Sequence, residues 1–120
     1  KRDKANQTAR EAVYDAIKPG VKYSELRKIG YDVMIKSGMP EDAVFVTPHS
    51  VGLQHDDNPF ILPQFGIDRI DHVLEEDMVL TFDLPYLQVG YGTGHNEDLF
   101  RVTITGYEPL NSEQDPLIIL

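Results

Sequence analysis

The sequence contains no cysteine, which excludes disulfide scaffolds, cysteine-ligated zinc or iron–sulfur sites, and cysteine nucleophiles. Basic residues are scarce, because 11 Lys and Arg stand against 20 Asp and Glu, for a formal net charge of −9. Nucleic acids and anionic membrane surfaces both attract basic segments, so this balance argues against either partner. No apolar run approaches the roughly 20 residues needed to cross a bilayer, and no signal peptide is visible. We therefore expect a cytoplasmic location, which the absence of cysteine fits.

The overall composition is typical of a globular protein. Hydrophobic residues make up 41% and charged residues 26% of the 120 positions, which predicts a folded chain and excludes a disordered one. The length is that of one domain or part of one, so we expect residues 1–120 to form a single domain. The first residue is Lys1 and not Met, so we expect a processed product or a fragment.

Two amphipathic helices are predicted at the start of the chain. Apolar residues recur every three or four positions over 4–18, where Pro19-Gly20 ends the pattern, and again over 24–37. Ser24 is a candidate N-cap for the second helix. Helix-turn-helix DNA-binding proteins also contain two consecutive helices, but the acidic balance disfavours that interpretation.

Strands and loops are predicted for the rest of the chain. We expect strands at Ala43–Thr47, Met78–Asp83 and Glu97–Thr105, with a loop-rich stretch over 48–72 and a glycine-rich connection over 90–94. The helices come first and the strands follow, without β–α–β alternation. The predicted fold class is therefore α+β, with two N-terminal helices packed on an antiparallel sheet.

Histidines and carboxylates concentrate at three places. His49 and His55 flank an apolar Val-Gly-Leu segment, Asp83 ends a strongly apolar strand, and His95 and Glu97 lie at a strand start. A carboxylate on a buried strand is costly unless it is paired, hydrogen-bonded or bound to a metal. His49, Asp83 and Glu97 are therefore candidate metal ligands. Nitrogen and oxygen ligands without sulfur suit Mn²⁺, Co²⁺, Fe²⁺ or Zn²⁺.

Simpler interpretations of the same residues stay open. His49 can be an ordinary loop histidine bonded to backbone, and Asp83, which precedes Leu84-Pro85, can be a turn residue that ends the strand. Glu97 can form a solvated charged pair with Asp98. The glycines over 90–94 do not form a phosphate-binding loop, because neither a Lys-Ser/Thr pair nor a helix follows them.

Four segments in order carry a resemblance to a known family. They are Pro48–Asp57, Leu74–Asp83, Gly94–Asp98 and Gly106–Leu110. Together with the two helices they resemble the pita-bread metallopeptidases, the family of aminopeptidase P, prolidase, methionine aminopeptidase and creatinase. The resemblance spans nearly the whole chain, and it implies the C-terminal half of a pita-bread catalytic domain.

The resemblance implies roles for five residues. His49, Asp83 and Glu97 fall on metal-ligand positions, where Glu97 would bridge two metals and Asp83 would also be the general base. His55 falls close to the histidine that contacts substrate, and His95 lies where aminopeptidase P and prolidase often carry an arginine. The implied catalytic residues are thus His55, Asp83 and His95. The implied cofactor is a pair of divalent metals, Mn²⁺ or else Co²⁺, Zn²⁺ or Fe²⁺, which activate a water.

The chain departs from the family's pattern at several positions. His55 follows His49 by six residues where the family usually has seven, so Asp56 is an alternative occupant of that position. Asp83 replaces the usual glutamate. The family's first two ligands are aspartates on strands that precede the first helix, and this sequence shows no counterpart. We therefore expect the chain alone to hold one metal weakly, or none.

The implied function is that of an Xaa-Pro peptidase-like hydrolase that acts on proline-containing peptides as part of a longer chain and is inactive alone. Two alternatives stay open: a metal-free, creatinase-like small-molecule hydrolase with His49 as acid–base, and a catalytically inactive interaction module. A half-domain exposes sheet surface and strand edges, which favour pairing. The expected partner is a second copy of the chain, in a homodimer, or the missing N-terminal half.

Overall fold

The structure, a computed structural model, describes residues 1–52, 71–90 and 92–112. In this part of the chain the elements are α1 (Arg2–Tyr14), α2 (Tyr23–Lys36), α3 (Pro40–Ala43), β1 (Thr47–Ser50), β2 (Val79–Gln88), β3 (Gly92–Val102) and β4 (Tyr107–Pro109). The four strands form one sheet in the order β1-β2-β3-β4, and every neighbouring pair is antiparallel. The α+β fold class, with an antiparallel sheet after two helices, is confirmed.

One face of the sheet packs against the helices. Alternate residues of the two long strands are buried there together with the apolar stripes of α1 and α2, in a core that contains Ala5, Ala9, Val13, Leu26, Met34, Leu80, Phe82, Leu84, Phe100 and Val102. Small alanines on α1 allow that helix to lie close to α2, and Tyr14 of α1 packs against the rings of Phe82 and Phe100. The opposite face of the sheet is left to the intervening residues of β2 and β3.

Helix α2 crosses the core with almost no clearance at Gly30. A Cβ atom added to this glycine would lie 2.7 Å from Val46 Cγ1, closer than real Cβ contacts, and 3.1 Å from Phe82 Cζ, which is tighter than most of them. Val46 directly precedes β1, so this contact fixes the start of the strand that carries His49.

The prediction of a strand over 43–47 is wrong. Residues Pro40–Ala43 form a short helix, and the strand begins only at Thr47. Proline suits the first helical position, and the two acidic residues that follow it stabilise a helix N-terminus. Asp42 also accepts a 2.7 Å hydrogen bond from Arg2 Nε of α1, which ties this helix to the first one.

The capping prediction at Ser24 is also wrong. Lys22 is the N-cap of α2, and its backbone N–H donates to Glu25 Oε2 at 2.8 Å. Ser24 instead donates from both its backbone N–H and its hydroxyl to the carboxylate of Asp71, at 3.0 and 2.6 Å. The carboxylate of Asp71, which is distant in the sequence, therefore accepts the hydrogen bond of a backbone N–H in the first turn of α2.

Both long strands are longer than predicted, but the predicted end of β3 at Thr105 is wrong, because this strand ends at Val102. β2 continues from Asp83 to Gln88 through Pro85, and β3 begins at Gly92, five residues before Glu97. The proline is tolerated because β1 pairs only with Leu80–Asp83, so in the described residues β2 has a neighbour on one side at this point. Among the same residues, no helix has the length and apolar character required to cross a membrane.

Candidate metal centre

The strand register brings Asp83 and Glu97 directly opposite each other. These two residues are Cα partners across β2 and β3, and His95 pairs with Pro85 two positions further along. On the other side of β2, His49 pairs with Thr81. Because side chains alternate along a strand, the two histidines and two carboxylates share one face of the sheet, opposite to the helices.

Glu97 lies between the two histidines. His95 Nε2 contacts Asp83 Oδ1 and lies 3.6 Å from Glu97 Oε2. His49 Nε2 lies 3.7 Å from the other oxygen of the same residue, Glu97 Oε1. Each imidazole therefore directs its Nε2 atom at the carboxylates, and one glutamate connects both imidazoles.

The side chains of the site range from almost fully buried to half exposed. The His49 side chain is 1% exposed, that of Asp83 13%, that of Glu97 35% and that of His95 52%. Burial raises the pKa of Asp83 above its ordinary value, and the nearby Glu97 adds to the rise while His95 opposes it. Carboxylates directly opposed across strands repel each other, so the site favours a cation between them.

His49 is oriented by the backbone. Its Nδ1 atom lies 3.2 Å from the carbonyl oxygen of Ser50, so a hydrogen on Nδ1 donates to that oxygen. The other ring nitrogen, Nε2, then presents its lone pair to the site. A backbone carbonyl on the far nitrogen is a common way to fix the tautomer of a metal-binding histidine.

The donor set fits a divalent transition metal. One ligand atom each from Asp83, His95 and Glu97 can be chosen so that all lie within 4.8 Å of one another. Two carboxylates and an imidazole without sulfur match the preferences of Mn²⁺, Co²⁺, Fe²⁺ or Zn²⁺. His49, on the neighbouring strand β1, lies next to this group, with its Nε2 atom 3.7 Å from Glu97 Oε1.

The four side chains of this site are all predicted from the sequence, but His95 is predicted only as a catalytic residue. The structure places His95 among the candidate ligands as well. One signal in the sequence pointed there, because His95 and Glu97 are two apart on a strand and so share a face. The remaining site residue predicted from the sequence, His55, lies outside the described residues, as does its alternative, Asp56.

Asp98 lies behind the site on the helix-facing side of β3. Its carboxylate accepts hydrogen bonds from the Arg10 guanidinium, from the Tyr14 hydroxyl at 2.7 Å and from the Asn111 amide at 3.0 Å. Burial, with the bond to Asp98, raises the pKa of Tyr14 well above its ordinary value. The alternative in which Glu97 and Asp98 form a solvated pair is therefore wrong, because Asp98 is only 6% exposed.

Two helices on an antiparallel sheet, with imidazoles and opposed carboxylates on its outer face, match part of a pita-bread domain. The sequence profile of metallopeptidase family M24 matches residues 4–104, so the chain belongs to that family. This finding confirms the resemblance drawn from the sequence.

Known relatives agree with the assignment. The chain is 28% identical to an Xaa-Pro dipeptidase of Lactobacillus delbrueckii subsp. lactis over 115 residues, 96% of this chain and 30% of the relative. Its structure is similar to that of the dipeptidase PepE from Mycobacterium ulcerans, with a TM-score of 0.81 and 26% identity over 98% of this chain and 30% of the other. An Xaa-Pro dipeptidase from Bacillus anthracis gives a TM-score of 0.78 at 26% identity, over 98% and 32%. The chain thus spans about a third of the length of the relatives it matches.

Proposed function

We propose that this chain is the part of a metal-dependent, Xaa-Pro dipeptidase-like peptidase that supplies His49, Asp83 and Glu97 to the metal centre. The observation that carries the proposal is the direct opposition of Asp83 and Glu97, with two imidazole Nε2 atoms directed at them on one sheet face. Relatives described as Xaa-Pro dipeptidases support a peptide substrate with proline. The order of the segments that resemble the family supports its being the C-terminal half of the catalytic domain.

Each residue of the site has a separate role in hydrolysis. Divalent metals, when bound, lower the pKa of a water and polarise the scissile carbonyl. The Asp83 carboxylate, largely buried and with a raised pKa, accepts the proton of the attacking water. His95, at the open rim and hydrogen-bonded to Asp83, stays a predicted catalytic residue. His55 stays a predicted substrate-contacting residue.

The test is hydrolysis of the dipeptide Ala-Pro by the natural protein that contains this chain. We expect turnover with Mn²⁺, loss of turnover with a chelator, and recovery when Mn²⁺ is returned. Asp83→Asn should lower kcat at least about a hundredfold, the low end of what a positioned acid or base contributes. Glu76→Gln, a change at an exposed acidic residue outside the site, is the matched control and should leave kcat unchanged.

Three results would overturn the proposal. Hydrolysis that a chelator does not affect would favour the metal-free, creatinase-like alternative. Normal turnover by Asp83→Asn would remove this residue from the reaction. Absence of hydrolysis in the natural protein, with Mn²⁺ present and the fold intact by circular dichroism, would favour an interaction module. For the 120-residue chain alone, we expect little or no hydrolysis, because the resemblance assigns no residue of these 120 to the family's first two aspartate ligands.

A further inference from the structure

The strand that carries Glu97 is only partly supported by the sheet. Both imidazoles of the candidate metal centre face this carboxylate, yet its side chain is 35% exposed. β4 pairs with β3 at Phe100–Val102, so within the described residues the section of β3 at Glu97 has a neighbouring strand on one side only. The position of this carboxylate therefore depends on what else holds that section of the strand.

The next residue, Asp98, is held from three directions. It projects to the helix side of the sheet, where it is buried. Its Oδ2 atom accepts hydrogen bonds from the Arg10 guanidinium and the Tyr14 hydroxyl of α1, and its Oδ1 atom accepts from the Asn111 amide. Its backbone carbonyl accepts a further hydrogen bond, at 3.0 Å, from the buried Thr81 hydroxyl of β2. Contacts from α1, from β2 and from the segment after β4 thus meet at residue 98.

An ionic cluster is not required to stabilise this part of the core. Apolar residues of similar volume in place of a buried ion pair are often neutral or stabilising, because both charges must be desolvated. Within the described residues the buried Arg10 Nε atom also has no hydrogen-bond partner, which adds to that cost. The property that the cluster has and apolar packing lacks is direction, because donors at fixed positions determine where the Asp98 carboxylate lies.

We propose that Asp98 is a positioning residue, which fixes Glu97 for metal binding without itself contacting the metal. The two side chains leave adjacent backbone positions on opposite faces of the sheet, so a displacement of Asp98 also displaces Glu97. The inference deepens the proposed function and rests on it for the presence of a metal. It makes metal affinity depend on a hydrogen-bond network that lies behind the metal centre, on the helix side.

The experiment is Mn²⁺ binding by the natural protein that contains this chain, followed by the electron paramagnetic resonance signal of free Mn²⁺ during a titration. The main variant combines Arg10→Met with Asp98→Leu, which removes one charge of each sign and leaves the net charge unchanged. We expect it to fold and to bind Mn²⁺ at least about tenfold more weakly, the low end of the loss when a residue that supports a ligand is removed. A merely structural role would lower the midpoint of urea denaturation and leave the Mn²⁺ affinity of the folded protein unchanged.

A second ion pair on the same strand provides the matched control. Arg101 Nη2 of β3 lies 2.7 Å from Glu108 Oε2 of β4, and both side chains are about half exposed. Arg101→Met with Glu108→Leu makes the same kind of change outside the Asp98 network, so it should leave the Mn²⁺ affinity unchanged. All variants are compared by circular dichroism, so that a loss of fold is recognised as such.

Tyr14→Phe is the variant that keeps the inference testable if the double variant does not fold. It removes one hydrogen bond to Asp98 and retains the ring and the net charge. It should weaken Mn²⁺ binding in the same direction as the double variant, by a smaller factor.

The outcomes for this inference and for the proposed function are separable. Weaker binding by the folded Arg10→Met, Asp98→Leu protein supports the positioning role, even where the natural protein hydrolyses no dipeptide, which contradicts the peptidase proposal alone. Original affinity in that folded variant overturns the positioning role and leaves the peptidase proposal standing. The role is also overturned by equal weakening in the Arg101→Met, Glu108→Leu control, by original affinity in Tyr14→Phe, or by absence of Mn²⁺ binding in the folded natural protein.

Discussion

At the scale of single residues, Asp98 does most to hold the strand that carries Glu97. It accepts bonds from Arg10 and Tyr14 of α1 and from Asn111 beyond β4, so three separate segments meet at one buried carboxylate. Within the described residues Arg10 Nε has no hydrogen-bond partner, so the buried guanidinium depends on Asp98. Asp98→Ala should lower the free energy of unfolding by about 3–5 kcal/mol, because it leaves a buried charge without its counterion. Urea denaturation measures this loss.

A double variant tests whether the loss comes from the unpaired charge. Arg10→Met combined with Asp98→Leu removes both charges and retains apolar volume, so it should cost less than Asp98→Ala alone. Tyr14→Phe removes one hydrogen bond and should cost about 1 kcal/mol. If Asp98→Ala cost no more than Tyr14→Phe, the carboxylate would not be the anchor of this strand.

At the scale of elements, the approach of α2 to the sheet depends on Gly30. An alanine here gains about 1 kcal/mol in helix propensity. Its Cβ would lie 2.7 Å from Val46 Cγ1, however, and overpacking of a core typically costs about 1–3 kcal/mol. We expect Gly30→Ala to lower the thermal midpoint, and to shift β1 with His49 because Val46 must move.

Lys36→Ala is the control for this prediction. Lys36 is exposed near the end of the same helix, so its replacement should leave the midpoint almost unchanged. A higher midpoint for Gly30→Ala would mean that propensity outweighs the steric term and that α2 can move away from the sheet.

The sequence predicted the elements that depend on local pattern and missed those that depend on distant contacts. The apolar spacing over 4–18 and 24–37 predicted both long helices, because a buried stripe needs that period, although α1 ends at Tyr14 and not at Lys18. The apolar run Ala43–Thr47 has no such period, and the helix start at Pro40 decided its first residues. Ser24 was expected to cap α2, but its partner, Asp71, is 47 positions away.

The site residues also divide into features that local sequence pattern predicted and features that it did not. Alternation along a strand predicted that His95 and Glu97 share a face, and the family resemblance named His49 and Asp83. The opposition of Asp83 to Glu97 was not predictable, because a shift of one residue in register would place them on different faces. The register is set by the long ladder between β2 and β3. The sequence predicted only part of this ladder, because Pro85 disfavours a strand interior and β2 was therefore expected to end at Asp83.

At the scale of the whole molecule, net charge opposes self-association and exposed apolar surface favours it. Two copies that each carry −9 repel, whereas exposed apolar side chains such as Phe45, 46% exposed, and Val44, 43% exposed, favour burial against a partner. Screening shortens the reach of the repulsion from about 10 Å at 0.1 M salt to about 3 Å at 1 M. We therefore expect sedimentation equilibrium to show a dimer whose dissociation constant falls as NaCl rises from 0.1 to 1 M.

A matched pair of variants locates the surface. Phe45→Asp and Val89→Asp add the same charge to an exposed apolar position, one after α3 and one in the turn between β2 and β3. Their effects on net repulsion are equal, so any difference between them reports contact at the site of change. Phe45→Asp should weaken the dimer more than Val89→Asp, because Phe45 has a large exposed apolar neighbour in Val44. Equal weakening would assign the effect to net charge alone, and a monomer at both salt concentrations would show that repulsion outweighs the apolar surface.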